Sequence, residues 1–230
     1  IADKIIKNNV VIFHESPKFK FSKLLQEYIF KVAEINSKFS LVNYDRGLIS
    51  TGSDISKNLT IEPGVVIYDN VQIKDNVTIG ANSVIGHQGF GFVEYNGEKI
   101  RMPHIGGVII EEGVEIGALT TIVAGAIDPT FIGKNTKIDD HVHVGHNAQI
   151  GENCTITACA EICRSDIEDG VWIGPNSSVR QGVRIGRNAF VGIGSVVTKD
   201  IPAGEIVVGN PADTIQNIKK FRKAIKEIIK

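Results

Sequence analysis

Ile or Val recurs at every sixth position through most of the chain. The recurrence runs from Ile49 to Ile85 and from Ile110 to Ile122, then from Ile132 to Val197 with a slip of one residue at Ile167. An amphipathic helix would repeat its apolar residues about every three or four positions, and a half-buried strand would alternate. The six-residue period instead predicts short strands separated by tight bends, three of which complete one coil of a parallel β-helix.

Asn or Gly commonly stands three positions after the aliphatic residue, where the bend is expected. These residue types adopt positive φ at the least steric cost. The predicted bend residues are Asn58, Gly64, Asn70, Asn76, Asn82, Gly113, Asn135, Asn147, Asn153, Gly170, Asn176 and Asn188. Coils stacked about 4.8 Å apart would bury the aliphatic residues in one ladder along the axis. The sequence therefore predicts a mainly β chain built as a solenoid.

The period fails at the N-terminal end, over residues 1–45. Asn9–Phe13 has the composition of a buried strand, and Lys18–Ile35 has the spacing of an amphipathic helix. This segment is too short to bury a core of its own. We predict a small α/β segment there.

The β-helix is expected over residues 46–212, with an inserted loop at 86–107, and a helix over 213–230. That helix places apolar residues on one face and a group of basic residues on the other: Lys219, Lys220, Arg222, Lys223 and Lys226. The basic face is either solvated or part of a docking surface for an acidic carrier or a phosphate.

Composition narrows the functional classes. Lys and Arg number 25 against 26 Asp and Glu, a net charge of −1 that creates no overall field for nucleic acid. No apolar run approaches the ~18 residues of a membrane span, and no signal peptide is recognisable. Three closely spaced cysteines, Cys154, Cys159 and Cys163, do not make a disulfide framework. We expect a cytoplasmic protein that binds no nucleic acid.

Two insertions interrupt the period, and insertions in a solenoid commonly build its site. In the first, Gly86–Gly107, Phe90 and Phe92 stand between glycines, so their rings either cover a planar or apolar ligand or pack the loop down. Asn96 and Gly97 predict a hairpin turn in the same loop. The second insertion, Gly125–Phe131, presents Asp128.

A polar cluster follows in KIDDHVHVGHNAQIG, residues 137–151. His146 directly precedes a bend residue, so its ring is expected to point outward at a coil corner, where a neutral imidazole can accept a proton near pH 7. One coil further on, Arg164 should stack over His146, and the backbone N–H of Cys163 or Arg164 could face an oxyanion. His143 is either a substrate contact or a coil-edge residue.

The stretch Ile85–Gly151 resembles a known family, motif by motif. GFGF, the hairpin, P-x-IG-x-V-x-I, VEIGA-x-TTI, GA-x-D-x-T-x-IG and HN-x-x-IG occur in the order found in the UDP-3-O-(3-hydroxyacyl)glucosamine N-acyltransferases of lipid A synthesis. The resemblance implies a left-handed β-helix with His146 as general base and Asp139 as its electrostatic partner. It also implies that the GFGF loop lies near a sugar nucleotide.

The sequence departs from that family in places. Val123 and Ala124 stand where the family usually has an Asp-Arg pair, and Met102 is the only methionine. The segment Gly192–Ala212 resembles instead the ending of acetyl-CoA-dependent hexapeptide transferases. That second resemblance makes Arg180 and Lys199 candidates to meet the phosphates of CoA.

These observations favour a homotrimeric acyltransferase with sites between subunits. It would move a short acyl group from acyl-CoA to the amino group of a nucleotide-linked amino sugar, with no metal and no permanently bound cofactor. One alternative is the lipid A reaction itself, with an acyl carrier protein as donor. Two others are a zinc hydro-lyase and a non-catalytic scaffold. The zinc pattern of hexapeptide carbonic anhydrases would need a histidine where Gly151 stands.

Overall fold

The computed structural model describes residues 14–35, 41–44 and 47–228. They divide into two compact units, Ile1–Lys38 with Phe90–Pro103, and Phe39–Gly89 with His104–Lys230. The predicted strand Asn9–Phe13 lies outside the described residues. No helix among the described residues is both long and apolar enough to cross a membrane.

The first unit combines a helix with a hairpin. Helix α1 spans Pro17–Ile35, as the amphipathic pattern predicted. The hairpin strands Phe92–Tyr95 and Glu98–Arg101 turn at Asn96 and Gly97, which both have positive φ. Lys23 and Glu98 form an ion pair at 2.7 Å between helix and hairpin. The hairpin lies inside the predicted loop 86–107.

The second unit is a solenoid of three mainly parallel sheets, with antiparallel strand pairs at its two ends and one isolated antiparallel bridge between Gly107 and Gly125. Strands are numbered β1 to β27 in chain order, with the hairpin as β9 and β10. The first sheet holds β1 Leu41–Tyr44, β2 Gly47–Ser50, β5 Val66–Ile67, β8 Val84–His87, β13 Thr121–Val123, β16 His143–Val144, β19 Glu161–Ile162, β22 Ser178–Val179 and β25 Val196–Val197. The second holds β3 Asp54–Ile55, β6 Val71–Ile73, β11 Val108–Ile110, β14 Thr130–Ile132, β17 Gln149–Ile150, β20 Asp166–Ile167 and β23 Arg184–Ile185. The third holds β4 Thr60–Ile61, β7 Thr78–Ile79, β12 Glu115–Ile116, β15 Lys137–Ile138, β18 Thr155–Ile156, β21 Trp172–Ile173, β24 Phe190–Val191, β26 Ile206–Val208 and β27 Asp213–Thr214.

The inward aliphatic residues stack in register from coil to coil. Ile132 pairs with Ile150, and Ile150 with Ile167 in the same sheet. The pairing of Ile150 with Ile167 absorbs the one-residue slip, because the corner before β20 is one residue shorter. The second residue of nearly every two-residue strand is buried, which places the core along the axis of the solenoid.

The predicted bends adopt positive φ with one exception, Asn58. At most of the other bends the N–H of the bend residue donates to a carbonyl of the preceding coil, as from Asn82 to Pro63 at 3.0 Å. The Asn147 N–H donates instead to Thr130 Oγ1 at 2.9 Å. Asn58 lies in the first coil, where no earlier described coil offers that carbonyl, and its N–H donates to Ser56 Oγ at 3.3 Å. At most bends, contact with the previous coil thus accompanies the positive φ.

The same contact accompanies positive φ at three residues that the pattern did not predict: Leu119, His141 and Cys159. They occupy one corner, between the third and first sheets, in consecutive coils. Their N–H groups donate to the preceding coil at 2.8, 3.0 and 3.0 Å.

A second helix, α2, spans Ile215–Ile228, and none of its residues is buried. The Thr214 hydroxyl caps it by accepting the Asn217 N–H at 3.1 Å. Its side chains Lys220 and Phe221 line an open groove of about 660 Å³ together with Lys199 and Pro211.

Candidate active site

His146 lies at the corner that follows β16, half-buried, as the spacing predicted. Its ring meets the ring of His104 edge to face, with centroids 5.0 Å apart and planes at 69°. His146 Nδ1 lies 3.1 Å from Asn147 Oδ1. The imidazole is thus held by contacts on two sides, which limits its rotation.

His104 is the residue that the sequence analysis missed. It is buried, with 4% of its surface exposed. The Gln88 side chain makes two hydrogen bonds to the His104 backbone. It accepts the His104 N–H at 2.8 Å and donates to the His104 carbonyl at 2.9 Å. A Cβ at Gly89 would lie only 2.5 Å from His104 Nε2, so Gly is required there. The only sequence signal was the position of His104 at the end of the first insertion.

The ends of the two insertions pair with each other. Gly107 and Gly125 form an antiparallel bridge, and the Gly106 N–H donates to the Gly125 carbonyl at 2.8 Å. The backbone of the second insertion then reaches the Asn147 side chain. Ala126 N–H donates to Asn147 Oδ1 at 2.9 Å, and Asn147 Nδ2 donates to the Asp128 carbonyl at 2.7 Å. The Asp128 carboxylate is exposed.

His143 stands on the outer surface of the first sheet, in register between Thr121 and Glu161. Its Nδ1 lies 2.7 Å from Thr121 Oγ1. The side chain reaches solvent, but partial burial by its neighbours lowers the pKa of His143. The Glu161 carboxylate opposes this lowering of the pKa, and His87 adds to it. Its imidazole is therefore biased toward the neutral form.

Asp139 lies one corner before His146, between the third and first sheets. Its carboxylate accepts the N–H of Asp140 at 2.8 Å and of Ala158 at 3.1 Å. In the described part of the chain no hydrogen bond or ion pair joins Asp139 to His146. The electrostatic partnership implied by the resemblance stays a prediction.

The predicted oxyanion donors lie one coil beyond His146. The Cys163 N–H donates to the Val179 carbonyl at 3.2 Å within the sheet ladder, so it is already engaged. Burial raises the pKa of the Cys163 thiol, with a smaller contribution from Glu161, which disfavours a nucleophilic thiolate. A Cβ at Gly145 would lie 3.7 Å from Arg164 N, and stacking of Arg164 over His146 stays a prediction.

The two candidates for phosphate contacts occupy later corners. Arg180 is exposed, and its backbone N–H donates to the Val197 carbonyl at 3.0 Å. Lys199 lines the open groove beside α2. Both roles remain predictions.

Phe90 and Phe92 belong to the first unit. Their rings meet edge to face at 5.0 Å, and the Arg101 guanidinium lies 4.7 Å from the Phe92 ring. Phe90 is 88% exposed, so its ring is available to a ligand. Coverage of a ligand by these rings stays a prediction.

No group of three His, Cys, Asp or Glu side chains within the described ranges is arranged to hold a metal ion.

Comparison with known proteins finds similarity to one class of transferase. The model described as bacterial transferase hexapeptide (six repeats) matches residues 52–87, 129–164 and 165–199. These three stretches make up just under half of the chain, which is therefore similar to this hexapeptide-repeat family. Among curated proteins it is 37% identical over 145 residues to the UDP-3-O-acylglucosamine N-acyltransferase of Methylobacterium nodulans, a match covering 63% of this chain and 41% of that one.

A shorter match is closer in sequence. The UDP-3-O-acylglucosamine N-acyltransferase of Fusobacterium nucleatum is 58% identical over 73 residues, 32% of this chain and 22% of the relative. The chain thus spans at most about two fifths of the length of these relatives.

Solved structures share the fold. The UDP-N-acetylglucosamine acyltransferase of Bacteroides fragilis superposes with a TM-score of 0.66 at 22% identity, covering 79% of this chain and 78% of that one. The Campylobacter jejuni enzyme of the same name gives 0.61 at 19% identity, covering 80% and 82%. These likenesses confirm the predicted fold class, a mainly β chain wound as a left-handed parallel β-helix.

Proposed function

We propose that this chain is an acyltransferase that acylates the amino group of a UDP-linked glucosamine, UDP-3-O-acylglucosamine in particular. The observation that carries the proposal is the half-buried His146, held between His104 and Asn147 where the two insertions meet. The names of the curated relatives support this acceptor over an unspecified amino sugar.

The proposed reaction forms an amide and releases a thiol. The amino nitrogen attacks the thioester carbonyl while His146 accepts a proton from that nitrogen. In this proposal the Arg164 backbone N–H stabilises the oxyanion of the tetrahedral intermediate. As the C–S bond breaks, the proton passes from His146 to the leaving sulfur.

An acyl carrier protein is the proposed donor. Carrier proteins are acidic, and the exposed helix α2 presents Lys219, Lys220 and Lys223 without burying any residue. We therefore place the carrier on this helix. The implied pair of substrates is that of the lipid A reaction.

A short acyl-CoA is the second candidate donor. It is favoured by the Gly192–Ala212 segment and by the groove in which Lys199 and Lys220 face solvent beside Pro211. Two lysines in an open groove suit the phosphates of CoA. A donor screen separates the two candidates.

The experiment measures acylated product by mass spectrometry, with hydroxyacyl carrier protein, hydroxybutyryl-CoA or acetyl-CoA as donor and UDP-3-O-acylglucosamine as acceptor. We expect the highest kcat/KM with the carrier protein, reduced by salt and by neutralising Lys219, Lys220 and Lys223. A higher kcat/KM with a two- to four-carbon acyl-CoA would favour the second candidate. No transfer from any thioester would favour a non-catalytic scaffold.

His146→Ala tests the base. We expect kcat to fall by about 10²–10⁴-fold, the range for a lost general base. His143→Gln is the matched control, since it removes an imidazole from β16, the strand that leads into the His146 corner. Normal turnover in His146→Ala together with loss in His143→Gln would move the base to His143.

A further inference from the structure

We infer that Asn147, held by the backbone of the second insertion, fixes the neutral tautomer of His146 with its proton on Nδ1. Nε2 is then the atom that accepts the proton from the substrate. The catalytic consequence rests on the proposed function, whereas the tautomer itself does not. Asn147 is a positioning residue in this inference.

The orientation of the Asn147 amide is set by two backbone groups of opposite character. A backbone N–H only donates, so the atom 2.9 Å from Ala126 N must be the amide oxygen. A carbonyl only accepts, so the atom 2.7 Å from the Asp128 oxygen must be the amide nitrogen. Exchanging the two atoms would turn both hydrogen bonds into repulsions.

This orientation determines the His146 proton. Asn147 Oδ1 carries no hydrogen, so the contact at 3.1 Å requires His146 Nδ1 to be the donor. A neutral imidazole has one N–H, which leaves the lone pair on Nε2. A hydrogen bond at one ring nitrogen thereby selects the chemistry of the other.

The backbone around Asn147 is fixed tightly enough to keep this arrangement. Asn147 has a φ of 59°, and its N–H donates at 2.9 Å to Thr130 Oγ1, which donates in turn to the Val123 carbonyl at 2.7 Å. Thr130 is fully buried. Gly125 packs so closely that a Cβ there would lie 1.9 Å from the Asp128 oxygen. The second insertion therefore acts as a rigid support for the amide.

Nitrogen NMR of histidine-labelled protein tests the tautomer directly. The His146 signals are assigned by their loss in His146→Gln and are measured at a pH where the ring is neutral. We expect the proton on Nδ1 in the unaltered chain. A proton found mainly on Nε2 would overturn the inference.

Asn147→Gly tests the cause, because glycine accepts the positive φ and lacks the amide. Asn153→Gly is the matched control, with a φ of 55° at the equivalent place of the next bend. We expect a mixture of tautomers in Asn147→Gly and the original tautomer in Asn153→Gly. An unchanged tautomer in Asn147→Gly would show that the amide does not select it.

Kinetics separates this inference from the proposed function. If acyl transfer occurs, Asn147→Gly should lower kcat by about tenfold or more with KM little changed, while Asn153→Gly keeps kcat. A proton on Nδ1 without any acyl transfer would support the tautomer and refute the proposed function. Acyl transfer with equal kcat in the two glycine variants would refute the positioning role.

Discussion

Leu119 holds a backbone conformation that suits Asn or Gly, with a φ of 57°. This conformation destabilises an L-residue with a large side chain by about 1–2 kcal/mol. Leu119 gains little hydrophobic stabilisation in return, because it is 48% exposed. We predict that Leu119→Asn raises the free energy of unfolding by about 1 kcal/mol. Urea unfolding should give a higher midpoint with an unchanged slope.

The control for this prediction is Leu48→Asn. Leu48 is a comparably exposed leucine in strand β2 and is not among the residues with positive φ. The same substitution should not stabilise the protein there. Equal effects at the two positions would argue against relief of backbone strain.

His143 makes stability depend on pH in a definite direction. Burial lowers the pKa of His143 in the folded state below the ~6.5 of the unfolded chain. Between these two values the unfolded state binds more protons, so stability rises with pH. This contribution is present above about pH 6.5 and is lost as the pH falls toward the folded pKa.

His143→Gln should weaken that dependence while keeping a polar partner for Thr121. The measurement is the difference in free energy of unfolding between about pH 7.5 and about pH 5.5. We expect a smaller difference in the variant. An unchanged or larger difference would assign the acid sensitivity to other groups.

At the scale of the element, each two-residue strand contributes one inward and one outward side chain. Ile167 of β20 is buried and pairs with Ile150 and Ile185, whereas Asp166 is exposed. Ile167→Ala should lower the free energy of unfolding by about 2–5 kcal/mol, since it deletes buried methylenes and leaves a cavity. Asp166→Ala should change it by about 0.5 kcal/mol or less.

Urea unfolding of the two variants, side by side, checks this prediction. Similar losses in both would mean that the strand owes its stability to its outward contacts. The stacked aliphatic residues that point inward would then not be the main source of stability for the coil.

At the scale of the whole molecule, we predict assembly into a homotrimer. Solenoids of this kind present flat sheet faces, and a cyclic assembly would place the His146 corner of one chain against its neighbour. Light scattering should report a mass near three chains. A monomer at micromolar concentration would contradict the proposed sites between subunits.

The amino-acid sequence by itself determined the solenoid, because a six-residue period is a local property repeated in every coil. It also nominated His146 and the bend residues, since their position relative to the inward aliphatic residue is a matter of counting. Asn58 departed from its prediction, and its N–H is bonded to Ser56 Oγ within its own bend.

Only the tertiary structure decided how His146 is held. His104 lies 42 positions earlier in the chain, and no spacing rule connects it to the ring that it contacts. Asn147 was recognisable as a bend residue, but the orientation of its amide depends on backbone groups of an insertion that follows no period. Contacts made by irregular segments have no local signature, so they emerge only once the coils bring those segments together.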